Sequence, residues 1–191
     1  EKHLPGAGRM ALLKDCGNMV AADDRLFVAV GGDCLVLAAR TGEELARHPV
    51  ATYAANGGKW GYVAAWQDLL VGSATRDQAS FVPDNQEDYD AVWKHFKPVV
   101  TSLSLFGLNR ADGTPRWRYE PAGGVILNPT LGIVDGLLCF VESTNPATRE
   151  HETGKIPLAD LFAGGPRLTA LHAATGAVAW SVPIDLAAFQ H

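Results

Sequence analysis

No stretch of eighteen consecutive apolar residues occurs in this 191-residue chain, which excludes a transmembrane helix. Positive charge is also scarce: 16 Lys and Arg against 21 Asp and Glu give a formal net charge of −5. With no basic run, the balance argues against a nucleic-acid partner or an anionic membrane surface. Cysteine is limited to Cys16, Cys34 and Cys139, too widely spaced for a CxxC or metal motif. An odd number leaves at least one unpaired. Cys34 and Cys139 lie within apolar strand patterns and read as small buried hydrophobes. The chain opens on Glu1-Lys2-His3, with neither a methionine nor a charged-then-apolar signal segment. A processed chain, or a piece of a longer one, is therefore expected.

What the sequence does hold is enough apolar residues, 47% against 19% charged, for one sizeable core without a second domain. Twenty glycines and eleven prolines suit an all-β protein with many tight turns. One plan recurs three times: Leu35-Val-Leu-Ala-Ala-Arg-Thr-Gly42, Leu105-Phe-Gly-Leu-Asn-Arg-Ala-Asp-Gly113 and Leu168-Thr-Ala-Leu-His-Ala-Ala-Thr-Gly176. Each is an alternating apolar run entering a polar turn closed by glycine, and a second short run follows. Such a unit cannot bury its apolar face alone, so the repeats must stack.

Hairpins fill the intervals. Arg25–Val30 and Cys34–Ala38 flank Gly31-Gly32-Asp33, with further strands near Met19–Ala22 and Glu44–Val50. Trp60–Trp66 and Leu69–Ala74 turn at Gln67-Asp68. Thr130–Val134 and Leu137–Glu142 turn at Asp135-Gly136, and Asp-Gly supplies the positive φ that a type I′ turn needs. The fold expected is an all-β propeller of four-stranded antiparallel blades, about three of them present, over 19–50, 59–119 and 124–183. Residues 1–18 form an N-terminal extension and 185–191 a C-terminal tail, leaving 19–184 as the propeller region.

The repeat glycines stand 71 and 63 residues apart, more than one blade requires. The excess lies in two insertions, 75–99 and 143–166, both between the second and third strands of their units. Insertions at a shared position gather on one face, often the binding face. The first is expected to hold a helix in the second blade: Asp84 and Glu87 form a capping box, and Tyr89, Val92, Trp93 and Phe96 recur at helical spacing. One helical turn is expected near Leu158–Phe162 in the second.

The unit Leu-x-Ala-Leu-x-Ala-x-Thr-Gly-x-x-x-Trp resembles the repeat of the pyrroloquinoline-quinone-like β-propellers. That group includes quinoprotein alcohol dehydrogenases and the propeller lipoprotein of the outer-membrane assembly machine. Leu168–Trp180 matches closely, Leu105–Trp117 well, and Leu35–Ala46 only through Thr41-Gly42. The resemblance implies that Trp117 and Trp180, four residues after their glycines, dock between neighbouring blades, and that Ala46 has lost this role. The family's aspartate, four residues before the glycine, is replaced by Ala38, Asn109 and His172. Family rings close with about seven or eight blades. The chain is thus expected to be completed by the remaining blades of a parent chain or by another protein, in the periplasm or another exported setting.

Function is less legible than fold, because one repeat serves enzymes and scaffolds alike. The expectation is a binding or scaffold module whose inserted loops present Trp93 and Phe96 to a partner. The alternatives are a segment of a quinone-dependent periplasmic oxidoreductase and a carbohydrate- or peptide-binding propeller. No carboxylate matches the family's catalytic or calcium-binding roles, and its adjacent cysteines are absent. No cofactor is therefore expected in this segment, whereas quinone with calcium belongs to the enzyme reading of a longer protein. Asn128, Glu142 and Asn145, where Asn-Pro steps join strand to loop, form the candidate polar cluster, although Asn-Pro turn initiation is the simpler explanation of the asparagines. The run Asp84–Asp90 lacks the glycine and closing glutamate of a calcium loop and reads as a helix start. His95, His151 with Glu152, and His172 have no second ligand at a useful spacing.

Overall fold

The structure, a computed structural model, describes residues 18–55, 58–79 and 99–185. Helix 84–96 expected from sequence, with Trp93 and Phe96, lies outside the described residues, as do Cys16 and His95.

The first unit is a four-stranded meander, β1 (Met19–Ala22), β2 (Arg25–Val30), β3 (Asp33–Ala38) and β4 (Glu44–Pro49), paired in that order. The second comprises β5 (Lys59–Trp66), β6 (Leu69–Thr75), β7 (Val99–Asn109) and β8 (Pro115–Tyr119). In the third, β10 (Gly132–Val134), β11 (Leu137–Glu142), β13 (Arg167–His172) and β14 (Val178–Pro183) repeat the plan. All pairs are antiparallel, as short hairpin connections require. The fold is all-β, with a propeller-like stacking of units.

Two short strands were not foreseen. β9 (Ile126–Leu127) pairs with β7 on one side and with Glu142 of β11 on the other, joining the second and third units into one ten-stranded sheet. β12 (Lys155–Ile156), inside the second insertion, pairs with Val99 and Val100 at the start of β7. Besides β6, the eleven-residue β7 thus pairs along its length with β8, β9 and β12. A two-residue strand carries too little pattern to be read locally, and its partner lies far away in sequence. The insertion also contains the helical turns α1 (Ala147–Glu150) and α2 (Leu158–Phe162), the latter where expected.

The side-chain alternation of strands sends neighbouring residues to opposite faces. In β6 every residue is buried, because Leu70 joins one core and Val71 another. The first core sets Phe27 and Val36 of unit 1 against Trp60, Leu70 and Phe106 of unit 2. The second sets Val71 and Leu105 against Leu138, Phe140 and Leu171 of unit 3. Unit 2 is therefore covered on both faces, which explains its near-continuous apolar strands. Phe27, Phe106 and Phe140 are fully buried, each worth about 2–3 kcal/mol of transfer free energy.

Candidate functional site

The three repeated turns share one geometry. Gly42, Gly113 and Gly176 all have positive φ, and each amide donates at 2.8 Å to the carbonyl four residues earlier, of Ala38, Asn109 and His172. At all three positions a backbone oxygen closes the turn, and at Asn109 the side-chain Oδ1 also accepts from Ala111 N at 2.9 Å.

Between units 2 and 3, Trp117 makes a bridging contact. Its Nε1–H donates to Ala173 O at 2.9 Å, bridging from β8 to the turn of the next unit. The indole lies against two glycines. A Cβ on Gly107, its cross-strand partner, would come within 2.3 Å of Nε1, and one on Gly176 within 2.6 Å of the ring. Trp117 is thus gripped by glycine on its own blade and glycine on the neighbour.

The junction between units 1 and 2 is built differently. Ala46 holds the register position of Trp117, opposite Val36, and carries no ring. His48, two residues further, supplies one: a Cβ on Gly113 would stand 2.4 Å from its imidazole. Tyr53 O–H donates to Gly113 O at 2.9 Å, and Trp60 Nε1–H donates to His48 O at 3.0 Å. Burial lowers the His48 pKa, opposed by the Asp112 carboxylate. Burial, then the nearby Cys34 and Asp112, pushes Tyr53 up to about 12. The motif marks the register correctly, but the docking residues His48 and Tyr53 escaped sequence reasoning. The available signal was the size exchange across the pair, Gly107 with Trp117 but Val36 with Ala46.

Trp180 has no neighbour of this kind among the described residues. It is 39% exposed, and Val178 and Val182 on the same strand are 54% and 46% exposed. Through the register Cys139–Ala170–Trp180 and Leu168–Val182, these residues share one face of unit 3. The equivalent face of unit 2 is buried under unit 3.

Asn128, Glu142 and Asn145 each bond a separate set of partners. Asn128 is buried in the 3-10 turn Asn128–Thr130, where Ser102 Oγ donates to its Oδ1, and its Nδ2 has no partner. Glu142 is buried on β11 and receives Tyr119 O–H and Thr169 Oγ1–H, both at 2.8 Å. Burial, then the bond to this carboxylate, raises the Tyr119 pKa. Asn145 accepts from Ala147 N at 3.1 Å and donates to Asp160 O at 3.0 Å, tying α1 to α2. His151 Nδ1 accepts from Gly154 N at 3.2 Å, and His172 is exposed. Among the described residues, no group of three His, Cys, Asp or Glu is placed to hold a metal.

A cavity of about 400 Å³ opens beside the end of β6. Its lining includes Arg76 and Asp77, which follow β6, and Arg149 and Glu152 of the second insertion. Arg149 is held by Pro121 O at 2.6 Å and Glu120 Oε2 at 3.4 Å. Arg76 Nε is buried without a hydrogen-bond partner.

No protein-family model matches the chain, and no curated protein matches it as a relative. Among solved structures, it resembles part of the quinohemoprotein alcohol dehydrogenase from Comamonas testosteroni. That match has 13% identity and a TM-score of 0.52, over 93% of this chain and 29% of that one. BamB from Moraxella catarrhalis is 13% identical over 88% of this chain and 37% of its own, with a TM-score of 0.45. The computationally designed Ika4 protein is 10% identical over 88% of this chain and 73% of its own, with a TM-score of 0.49. At these identities the first likeness speaks to fold alone, and the two lower scores add no argument. The chain spans about a third of each natural protein named.

Proposed function

We propose that this chain is a propeller segment that works as a binding or scaffold module, docking through the outer face of its third unit. The observation that supports this reading is the open apolar face at Trp180 and Val182, in the frame that Trp117 and Tyr119 use to meet the next unit. An exposed cluster of this kind marks an interaction surface in a folded protein. The occupant is a further blade, from a longer parent chain or a partner protein, in an exported setting such as the periplasm.

The polar residues fit a structural role better than a quinone or calcium site. Both Glu142 oxygens are taken by Tyr119 and Thr169, and Asn145 is spent on the two helical turns. We therefore assign no cofactor to this segment.

A photo-crosslinking side chain placed at Val182 in the protein's own cells tests the docking reading. Crosslinks to a β-sheet segment outside residues 18–185 are expected. Crosslinks confined to the three units described would overturn it.

A further inference from the structure

The junctions on the two sides of unit 2 are closed by different chemistry. Units 2 and 3 meet through the Trp117 indole, whose nitrogen is a donor that does not titrate. Units 1 and 2 meet through an imidazole. His48 is 7% exposed, and a Cβ on Gly113 of unit 2 would collide with its Cε1 and Nδ1. Histidine is the side chain whose charge changes between about pH 5 and 8.

Little around His48 can answer a positive charge. Cys34, opposite it on β3, and Tyr53, beyond the 3-10 turn Val50–Thr52, are both pushed up to about 12. Both therefore stay neutral where an imidazole titrates. Trp60 presents a ring and an N–H, the latter given to His48 O. Arg47, the preceding residue of β4, directs its guanidinium to Asp33 and Glu44. In the facing turn of unit 2, Arg110 is paired with Asp23 across the junction. Asp112 of that turn carries the opposing charge, and its Oδ1 already accepts from Thr114 N at 2.9 Å. A buried imidazole so placed takes up a proton less readily than one in water. Acid therefore favours a state that exposes it.

We propose that the junction of units 1 and 2 is an acid-sensitive clasp, in which a proton on His48 shifts the chain toward a state with unit 1 lifted off Trp60, Leu70 and Phe106 of unit 2. Unit 1 is a separate sheet, tied to unit 2 by side chains and by bonds such as Trp60 N–H to Gly31 O, so it can move as a body. The apolar cluster across the junction keeps the lifted state a minor one, and the proton raises its population. Acid would thus open a second apolar docking face, independent of the one at Trp180.

The test is native-state amide exchange of the whole chain at pH 7.5 and 5.5, corrected for intrinsic exchange rates. Trp60 N–H, bonded to Gly31 O, reports the first junction. Ala173 N–H, bonded to Gly136 O, reports the second, where Trp117 is held. Opening at Trp60 should rise about twofold or more relative to Ala173 as the pH falls. His48→Phe, which keeps a ring without a titrating nitrogen, should abolish the difference. Asp112→Asn, at an exposed position, removes the opposing charge and should enlarge it, and gives the answer even if His48→Phe fails to fold. No rise, an equal rise at both amides, a difference that persists in His48→Phe, or one that Asp112→Asn leaves unchanged or smaller would overturn the proposal.

Discussion

Replacing Gly176 by alanine probes the unit junction most directly. Gly176 has φ +70°, so alanine there pays about 1–2 kcal/mol for a left-handed backbone. Its Cβ would stand 2.6, 2.7 and 2.9 Å from three atoms of the Trp117 ring, which must shift as a rigid body. Moving the indole loses its bond to Ala173 O, about 1 kcal/mol, and returns part of its surface to water, about 1–2 kcal/mol more. The total is about 3–5 kcal/mol by these principles. Gly42→Ala is the internal control, because φ is +67° there but a Cβ meets nothing within 4 Å. It should cost only the backbone part, about 1–2 kcal/mol. Urea unfolding read by tryptophan fluorescence and circular dichroism measures both. In a Trp117→Ala background, Gly176→Ala should cost no more than Gly42→Ala. If the two glycine variants differ by less than about 0.5 kcal/mol, or the difference survives removal of Trp117, the docking argument fails.

The lowered His48 pKa means that the unfolded chain takes up the imidazole proton more readily than the folded one. Its contribution to stability is complete above pH 6.5 and is lost as pH falls through the folded value; urea midpoints from pH 7.5 to 5 should drop, and His48→Gln should flatten the slope. Asp68 and Asp112, with carboxyls held below their usual range by bonds from Arg116 and from Thr114, act only at more acid pH. The Cys34 thiol is fully buried and pushed up to about 12 by desolvation. Iodoacetamide at pH 8 should leave it unmodified in native protein and label it in urea, as read by peptide mass spectrometry; labelling at equal rates would refute its burial. Adding pyrroloquinoline quinone with calcium should shift neither absorbance nor unfolding midpoint, and a saturable shift would reinstate a cofactor role for this segment.

The repeat made the meanders legible, because they depend on residues within one unit and its spacing. The strands announce themselves as short apolar runs between turns, and Asp135-Gly136 by its turn chemistry. The unit 1–2 junction was hidden because the ring moved two residues, from the place of Ala46 to His48, while Tyr53 took over the hydrogen bond. Only the change from Gly107 with Trp117 to Val36 with Ala46 hints at that exchange, and the facing Gly113 lies in another unit. β9 and β12 were hidden for a related reason: two residues cannot show a period, and their pairing is fixed by β7. The separate partners of Asn128, Glu142 and Asn145 were not legible, since Tyr119 and Thr169 reach Glu142 from other strands. Nor does any local motif join Arg76 to Arg149.

The bridging strand β9 has a mechanical consequence. Units 2 and 3 share a continuous backbone ladder, whereas unit 1 meets unit 2 through side chains and isolated bonds such as Trp60 N–H to Gly31 O at 2.8 Å. Stretched from its ends, the molecule would yield in two steps, shedding unit 1 before the ten-stranded block. The segment 50–58, between β4 and β5, is where the chain is best divided for reassembly from two fragments.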